Sequence, residues 1–118
     1  MATTVSLSSS NFTAAGNTIN IGPLTINVPS PAPQINGVNF ASGTFVATSG
    51  PAGATLCLIT PPSSNAVQLT LKGVTGDTGI PISASNPTLV SFFNTSISNT
   101  VGLTSAAAIT GPVTLTWI

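Results

Sequence analysis

Short runs of β-forming residues, interrupted every few positions by Gly or Pro, most limit what this chain can fold into. The sequence has 11 Gly and 10 Pro in 118 residues, and no long window has the 3.6-residue apolar periodicity of a helix. The Thr, Val and Ile between the breaks favour strands, and the breaks themselves favour turns. The spacing therefore predicts an all-β protein built from many short strands.

Strict alternation of apolar and polar residues is clearest in the second part of the chain. Residues 67–72 and 113–118 alternate in the way that is typical of strands with one buried face. Trp117 brings the largest apolar side chain to the expected core, provided that its indole N–H finds a partner. Further strands are predicted at 43–48, 54–60, 88–93 and 97–103. About six strands in residues 41–118 predict an antiparallel β-sandwich, either a jelly roll or an immunoglobulin-like sandwich.

The sequence pattern of the N-terminal part differs from that of the rest. We therefore divide the chain into an extended N-terminal segment or arm (1–40) and a β-sandwich domain (41–118). The four residues 18–21 (TINI) are echoed by 25–28 (TINV), which favours a hairpin or one bent strand. Three prolines in residues 29–33 then favour a stiff, extended connector. The residues before it are predicted to form either a strand pair of the same sandwich or an arm that reaches a neighbour.

Charged side chains are almost absent, since Lys72 is the only basic residue and Asp77 the only acidic one. Nucleic acids and anionic membranes are therefore not expected as partners, because both require several Lys or Arg residues. A formal net charge of 0 also removes the repulsion that keeps copies of a protein apart. The composition thus predicts a surface that tolerates close contact with itself or with a scaffold.

The residue types that carry catalysis are missing. The sequence has no His, Tyr or Glu, so paired carboxylates, a Ser-His-Asp triad and most general acid–base pairs cannot be assembled. Clusters of Cys and His or of several carboxylates, which hold metals, are equally out of reach. Cys57 is the only cysteine of the sequence, so no disulfide can form within the chain, and its apolar neighbours predict a buried thiol. We therefore predict a protein that is not an enzyme and uses no cofactor or metal.

Interaction surfaces remain as the candidate functional sites. Phe92 and Phe93 are adjacent on a predicted strand, so one ring should enter the core while the other needs a cover, such as a loop or another subunit. Apolar residues of the N-terminal segment form the second group of interface candidates: Ile19, Ile21, Ile26 and Val28.

Two stretches resemble small virion proteins of tailed phages: VQLTLKGVTGDTGIPIS at 67–83 and TLTWI at 114–118. The resemblance covers residues 41–118 and implies a capsid decoration or cement protein on the capsid exterior. The partners that it implies are the major capsid protein and other copies of the chain, most often in a homotrimer. The N-terminus lacks the positive segment and apolar core of a signal peptide, which predicts synthesis in a host cytoplasm before incorporation into the virion.

Two other binding roles are compatible with the same pattern of short β-strands. A phage tail or fibre component, or an adhesin-like binding module, is the main alternative, although the chain has no tandem repeats. Five Phe and one Trp also offer few rings for stacking on glycans. An ice-binding protein would use flat, uncharged, Thr-rich strands as well, but Thr-x-Thr spacing is local to Thr114-Leu115-Thr116.

Overall fold

The computed structural model describes residues 3–7, 10–21, 24–28, 34–92 and 99–118. These residues form strands joined by turns and loops, and they contain no helix, so none that is long and apolar enough to cross a membrane. The prediction of an all-β protein with an antiparallel β-sandwich is confirmed.

In the described part of the chain, eight strands make up the sandwich. They are β5 (Gln34–Val38), β6 (Phe45–Ser49), β7 (Leu56–Thr60), β8 (Leu69–Lys72), β9 (Ile80–Ile82), β10 (Thr88–Ser91), β11 (Thr100–Ser105) and β12 (Val113–Trp117). One sheet has the strand order β10-β7-β12-β5 and the other has the order β6-β11-β8-β9, with every pairing antiparallel.

The pairing is nested, which decides between the two predicted sandwich types. The first strand of the sandwich pairs with the last (β5 with β12), the second with the seventh (β6 with β11), the third with the sixth (β7 with β10), and β8 with β9. A long hairpin rolled up into two sheets has this pattern, and it is the pattern of an eight-stranded jelly roll. The sandwich is therefore a jelly roll.

The sandwich begins earlier than residue 41. Gln34 lies opposite Trp117 and Val38 opposite Val113, so β5 is a full strand of the first sheet, and Phe40 belongs to the core. The boundary predicted after residue 40 was therefore placed too late, because Gln34 and Asn36, which lie opposite the core residues Trp117 and Leu115, are polar and hide the alternation that identifies a strand. The three-residue strand β9 was also not predicted, since its central residue is a proline.

The core lies between the two sheets and follows the alternation of the sequence. Val113, Leu115 and Trp117 of β12 are at most 1% exposed, which confirms the prediction that Trp117 is a core residue. The Trp117 ring stacks on the ring of Phe92 with a centroid distance of 6.0 Å. Its indole N–H is buried and has no hydrogen-bond partner among the described residues, so the expected partner is not found there.

The first four strands form a hairpin of their own. They are β1 (Thr3–Leu7), β2 (Ser10–Ala14), β3 (Asn17–Ile21) and β4 (Leu24–Val28). β1 pairs with β4 and β2 with β3, and the numbers of paired residues add up to 31 in both sheets, so the two sheets share one register. We call β1 to β4 the N-terminal hairpin. Its described strands pair with one another and with no strand of the sandwich.

A two-residue turn closes the N-terminal hairpin. Ala15 and Gly16 have φ angles of 51° and 80°, and positive φ at both central residues is the type I′ geometry that matches the twist of a hairpin. Ala is an unusual residue at the first of these positions, because its Cβ disfavours the left-handed region. The turn is thus set by the register of the strands on either side of it.

Candidate functional site

A groove of about 570 Å³ is the first candidate site, and residues of both sheets line it. Its apolar lining includes Leu71 and Val101 from one sheet and Val90 from the other. Lys72 and Asp77, the single basic and the single acidic residue of the chain, lie on its polar part. The groove therefore combines an apolar floor with one cation and one anion, but it offers no general base besides the carboxylate of Asp77.

The Asp77 carboxylate is already engaged in holding the loop between β8 and β9. Its Oδ2 atom accepts hydrogen bonds from the backbone N–H groups of Gly73 and Val74, each at 3.0 Å. The backbone N–H of Asp77 donates in turn to the carbonyl oxygen of Val74 at 3.2 Å. This is the turn-forming use of Asp that the Gly-Asp-Thr-Gly sequence favours, and it gives Asp77 a structural task.

Gly79 fixes the other end of the same loop. Its φ is +76°, and a Cβ atom built there would lie 2.6 Å from the carbonyl oxygen of Leu71. Both the left-handed conformation and the close approach of the backbone require glycine at this position. The wall of the groove is thus a preformed loop.

The two aromatic interface candidates are only partly described. Phe92 is half-buried, packs against the core and stacks on Trp117, so its ring turns inward. It also lines the groove. Phe93 lies outside the described residues. An interface role for this pair stays a prediction.

The four aliphatic interface candidates lie together in the N-terminal hairpin. Ile19 and Ile21 are in β3, opposite Phe12 and Ser10. In β4 the pairing sets Ile26 opposite Val5 and Val28 opposite Thr3. The four residues thus lie in two two-stranded sheets that share one register, and their part in an interface also stays a prediction.

A further surface, on the outer face of the sheet β10-β7-β12-β5, was not predicted from the sequence. Leu89, Leu58, Thr116 and Ile35 lie directly opposite one another across the four strands. We call these four residues the outer row. Ile35 is 68% and Leu89 39% exposed, and Leu58 and Thr116 are half-buried.

One sequence signal could have revealed the outer row. The four residues of 56–59 (LCLI) are all apolar, and in a strand successive side chains point to opposite faces. Cys57 and Ile59 are 0% exposed in the core, so Leu58 between them belongs to the opposite face. The run LCLI therefore indicates a strand that carries apolar side chains on both of its faces.

The thiol of Cys57 is buried, as the sequence predicted, and burial makes it unreactive. The residue is 0% exposed, and burial raises the pKa of the Cys57 thiol from 9.0 to about 12. Because the thiolate is the reactive form of cysteine, this environment suppresses nucleophilic and redox chemistry at neutral pH. The described residues also contain no group of three or more His, Cys, Asp or Glu residues that could hold a metal ion.

The raised pKa of Cys57 has a consequence for stability. Between the ordinary pKa of 9.0 and the folded pKa of about 12, the unfolded chain loses the thiol proton and the folded chain keeps it. We therefore expect the free energy of unfolding to fall as the pH rises above 9, by at most about 1.4 kcal/mol per pH unit. Urea titrations on both sides of this pH would measure the slope. A Cys57→Ala variant should lack the thiol's contribution, and an unchanged slope in that variant would contradict the assignment.

The groove, the N-terminal hairpin and the outer row are the surfaces on which a function can be based. The groove is lined by a preformed loop and contains Lys72 and Asp77, and the other two surfaces consist of uncharged residues. Neither a family model, nor a curated protein, nor a solved structure matches the chain.

Proposed function

We propose that the protein is a structural virion protein, a capsid decoration or cement protein that binds the assembled major capsid shell from outside. The N-terminal hairpin is the observation that carries the proposal. It consists of two two-stranded sheets that pair with no described strand of the sandwich. An isolated two-stranded hairpin is marginally stable in water, so a hairpin of this kind is best explained as a segment that is stabilised by docking on a partner.

The residue pattern of the hairpin supports an uncharged partner surface. In β1 and β4 the register sets Val5 opposite Ile26 and Leu7 opposite Leu24, while Ser6 lies opposite Thr25. Apolar and polar pairs therefore alternate, as in a sheet with one covered face. None of the hairpin residues is charged, so binding through it should depend little on ionic strength.

The jelly roll itself adds modest support. Eight-stranded jelly rolls occur in viral capsid proteins and in lectins, and a fold of this kind does not determine function. The near-absence of charge supports a role in assembly more directly than the fold does. Copies without net charge can pack densely on a shell without repelling one another.

Binding to assembled shells is the direct test. The full chain should co-sediment with capsids and should be present in stoichiometric amount in purified virions. An Ile19→Thr, Ile26→Thr double variant keeps β-branched residues in both strands but removes apolar area, and we expect it to bind at least about tenfold more weakly, since burying such side chains contributes about 1.5–3 kcal/mol each. The matched control is Thr18→Ser with Thr25→Ser, which should bind like the wild type. Absence of the protein from purified virions would refute the proposal.

The groove favours a second candidate, a binding module of a phage tail, fibre or adhesin. A preformed loop beside an apolar floor is the kind of concave site that takes a small ligand. A glycan array probed with the full chain would separate the two roles. Reproducible hits, together with no binding to shells, would favour the binding module.

A further inference from the structure

A single Asn-Gly pair occurs in the sequence, and the structure places it inside strand β5 rather than in a turn. We propose that Asn36 in this pair is a site of spontaneous modification, at which the side chain loses ammonia and becomes a carboxylate after β5 opens locally. Glycine favours this reaction because it has no Cβ atom that would shield its backbone nitrogen. The proposal concerns the chemistry of the sandwich alone and does not depend on the proposed docking on a shell.

The reaction needs only these two residues and water. The backbone nitrogen of Gly37 attacks Cγ of Asn36, and the amide proton of Gly37 leaves with the side-chain nitrogen of Asn36 as ammonia. The product is a five-membered succinimide ring, and no atom is oxidised or reduced. Water then opens the ring. Attack at Cγ gives aspartate, and attack at the backbone carbonyl gives isoaspartate, in which the main chain runs through the former side chain.

The pairing of β12 determines where the attacking nitrogen points. Ile118, directly after β12, and Leu56 donate their backbone N–H groups to each other's carbonyl oxygens at 2.9 and 3.1 Å. Successive residues of an antiparallel strand turn these groups to opposite sides, so Ile118 faces β7 and Leu115, three residues earlier, faces Asn36 in β5. Gly37, the next residue of β5, therefore points its N–H away from β12. No described strand lies on that side, because β5 is at the edge of its sheet.

The side chain of Asn36 is the electrophile, and its surroundings assist the attack. Its Oδ1 atom accepts a hydrogen bond from Nε2 of Gln34 at 3.3 Å. A donor at this oxygen stabilises the negative charge that develops on it when Cγ is attacked. Asn36 itself is half-buried, whereas Gly37 is exposed. Water can therefore reach the succinimide ring once it has formed.

The extended backbone of β5 keeps the reaction slow in the folded protein. In a strand the chain runs straight on from each residue, so the Gly37 nitrogen and Cγ of Asn36 meet only when Asn36 leaves its extended conformation. That movement breaks the backbone hydrogen bonds between Asn36 and Leu115. Because β5 is bonded to one neighbour, β12, it can open while the rest of the sandwich stays folded. The rate should therefore report on the local opening of β5.

Both products disturb β5. Aspartate adds a second acidic group to a chain with a formal net charge of 0, and it places that group opposite the buried residue Leu115. Isoaspartate lengthens the main chain by one CH₂ group next to Gly37. The pairs Gln34 with Trp117 and Val38 with Val113 then no longer fit one register. Modification should thus loosen the edge strand of the first sheet.

Peptide mapping of the full chain by mass spectrometry tests the site. Folded wild-type protein kept at mildly alkaline pH should gain the mass difference between water and ammonia in the fragment that contains Asn36. Gly37→Ala should slow this gain at least about tenfold, because the new Cβ atom shields the nitrogen. That Cβ atom would lie 3.5 Å from Cβ of Pro112, an ordinary contact distance, so the fold should tolerate it. Gly76→Ala, where a Cβ atom meets nothing within 4 Å, is the matched control and should convert like the wild type.

A second pair of variants tests whether opening of β5 controls the rate. Val38→Ala weakens the packing of β5 on the core, and Val46→Ala makes the same change in β6 of the other sheet. Val38→Ala should accelerate the conversion of Asn36 more than Val46→Ala does. In urea that unfolds the whole chain, the wild-type rate should rise at least about tenfold over that of the folded protein. Equal acceleration by the two Val variants would contradict local opening of β5.

Two results would overturn the modification site itself. One is an Asn36 that stays intact in the folded chain while the unfolded chain converts it, and the other is conversion of Gly37→Ala at the wild-type rate. Circular dichroism before and after incubation checks that the molecules analysed are folded. No capsid enters these measurements, so their failure leaves the proposed binding to shells untouched.

Discussion

Replacing Trp117 by Ala is expected to lower the free energy of unfolding by about 3–5 kcal/mol, the range for removing a large aromatic side chain from a core. Trp117 is 0% exposed, stacks on Phe92 and pairs with both Cys57 and Gln34 in the centre of its sheet. The cavity left behind would lie between the two sheets, where neighbouring side chains can relax only in part. Urea unfolding followed by circular dichroism measures the loss without relying on the Trp signal.

Two variants calibrate this result. Trp117→Phe keeps a ring beside Phe92 and removes the buried indole N–H that has no partner among the described residues. Since an unsatisfied buried donor costs about 1–3 kcal/mol, this variant should lose clearly less free energy of unfolding than Trp117→Ala. Thr116→Ala, one residue away on the outer face, should change stability by about 1 kcal/mol or less. A loss below about 2 kcal/mol for Trp117→Ala would show that the ring does not fill the core as described.

Gly50→Ala is expected to destabilise the protein by about 3 kcal/mol, at the upper end of the usual cost of overpacking a core. A Cβ atom at this position would lie 2.3 Å from Cε3 of the Trp117 ring. The backbone cannot move away easily, because the N–H of Gly50 donates to the carbonyl oxygen of Asn99 at 2.9 Å. The measurement is again equilibrium unfolding in urea.

A double-mutant cycle identifies the cause of this loss. In a Trp117→Leu background the indole ring no longer fills the space next to the Gly50 Cα atom. Gly50→Ala should then lower the free energy of unfolding by at least about 1 kcal/mol less than it does in the wild type, a coupling that is typical of residues in direct contact. Additive effects of the two substitutions would mean that the clash with Trp117 is not the reason. Gly76→Ala is a suitable control, since a Cβ atom there meets nothing within 4 Å.

Much of the sandwich could be predicted from the sequence because its inner faces follow simple alternation. The strand at 113–118 and the burial of Trp117 and Cys57 depend on local pattern alone. β5 could not be predicted because polar residues, Gln34 and Asn36, lie opposite the core residues of β12, and β9 could not be predicted because Pro81 is its central residue. The jelly-roll order depends on which distant strands meet, and local pattern contains no information on that.

The candidate surfaces were predictable to a smaller extent. Alternation predicts that one ring of the pair Phe92 and Phe93 turns inward, but the inward position of the Phe92 ring depends on Trp117, on which it stacks. The outer row needed the register of four strands from distant parts of the chain. Ile35 in particular lies on a strand that the sequence did not reveal, so its exposure could not be anticipated.

The nested strand pairing also constrains how the molecule is made. β12 occupies an inner position of its sheet, between β7 and β5, and β5 finds its partner almost eighty positions further along the chain. Such long-range pairing costs loop-closure entropy before any contact compensates for it, which makes folding slow, on the millisecond-to-second scale of β-sandwiches. During synthesis on the ribosome the first sheet stays open until residues 113–117 have emerged. Until then β5 and β7 are uncharged strands without the partner that lies between them, and this is the stage at which the chain is most exposed to aggregation.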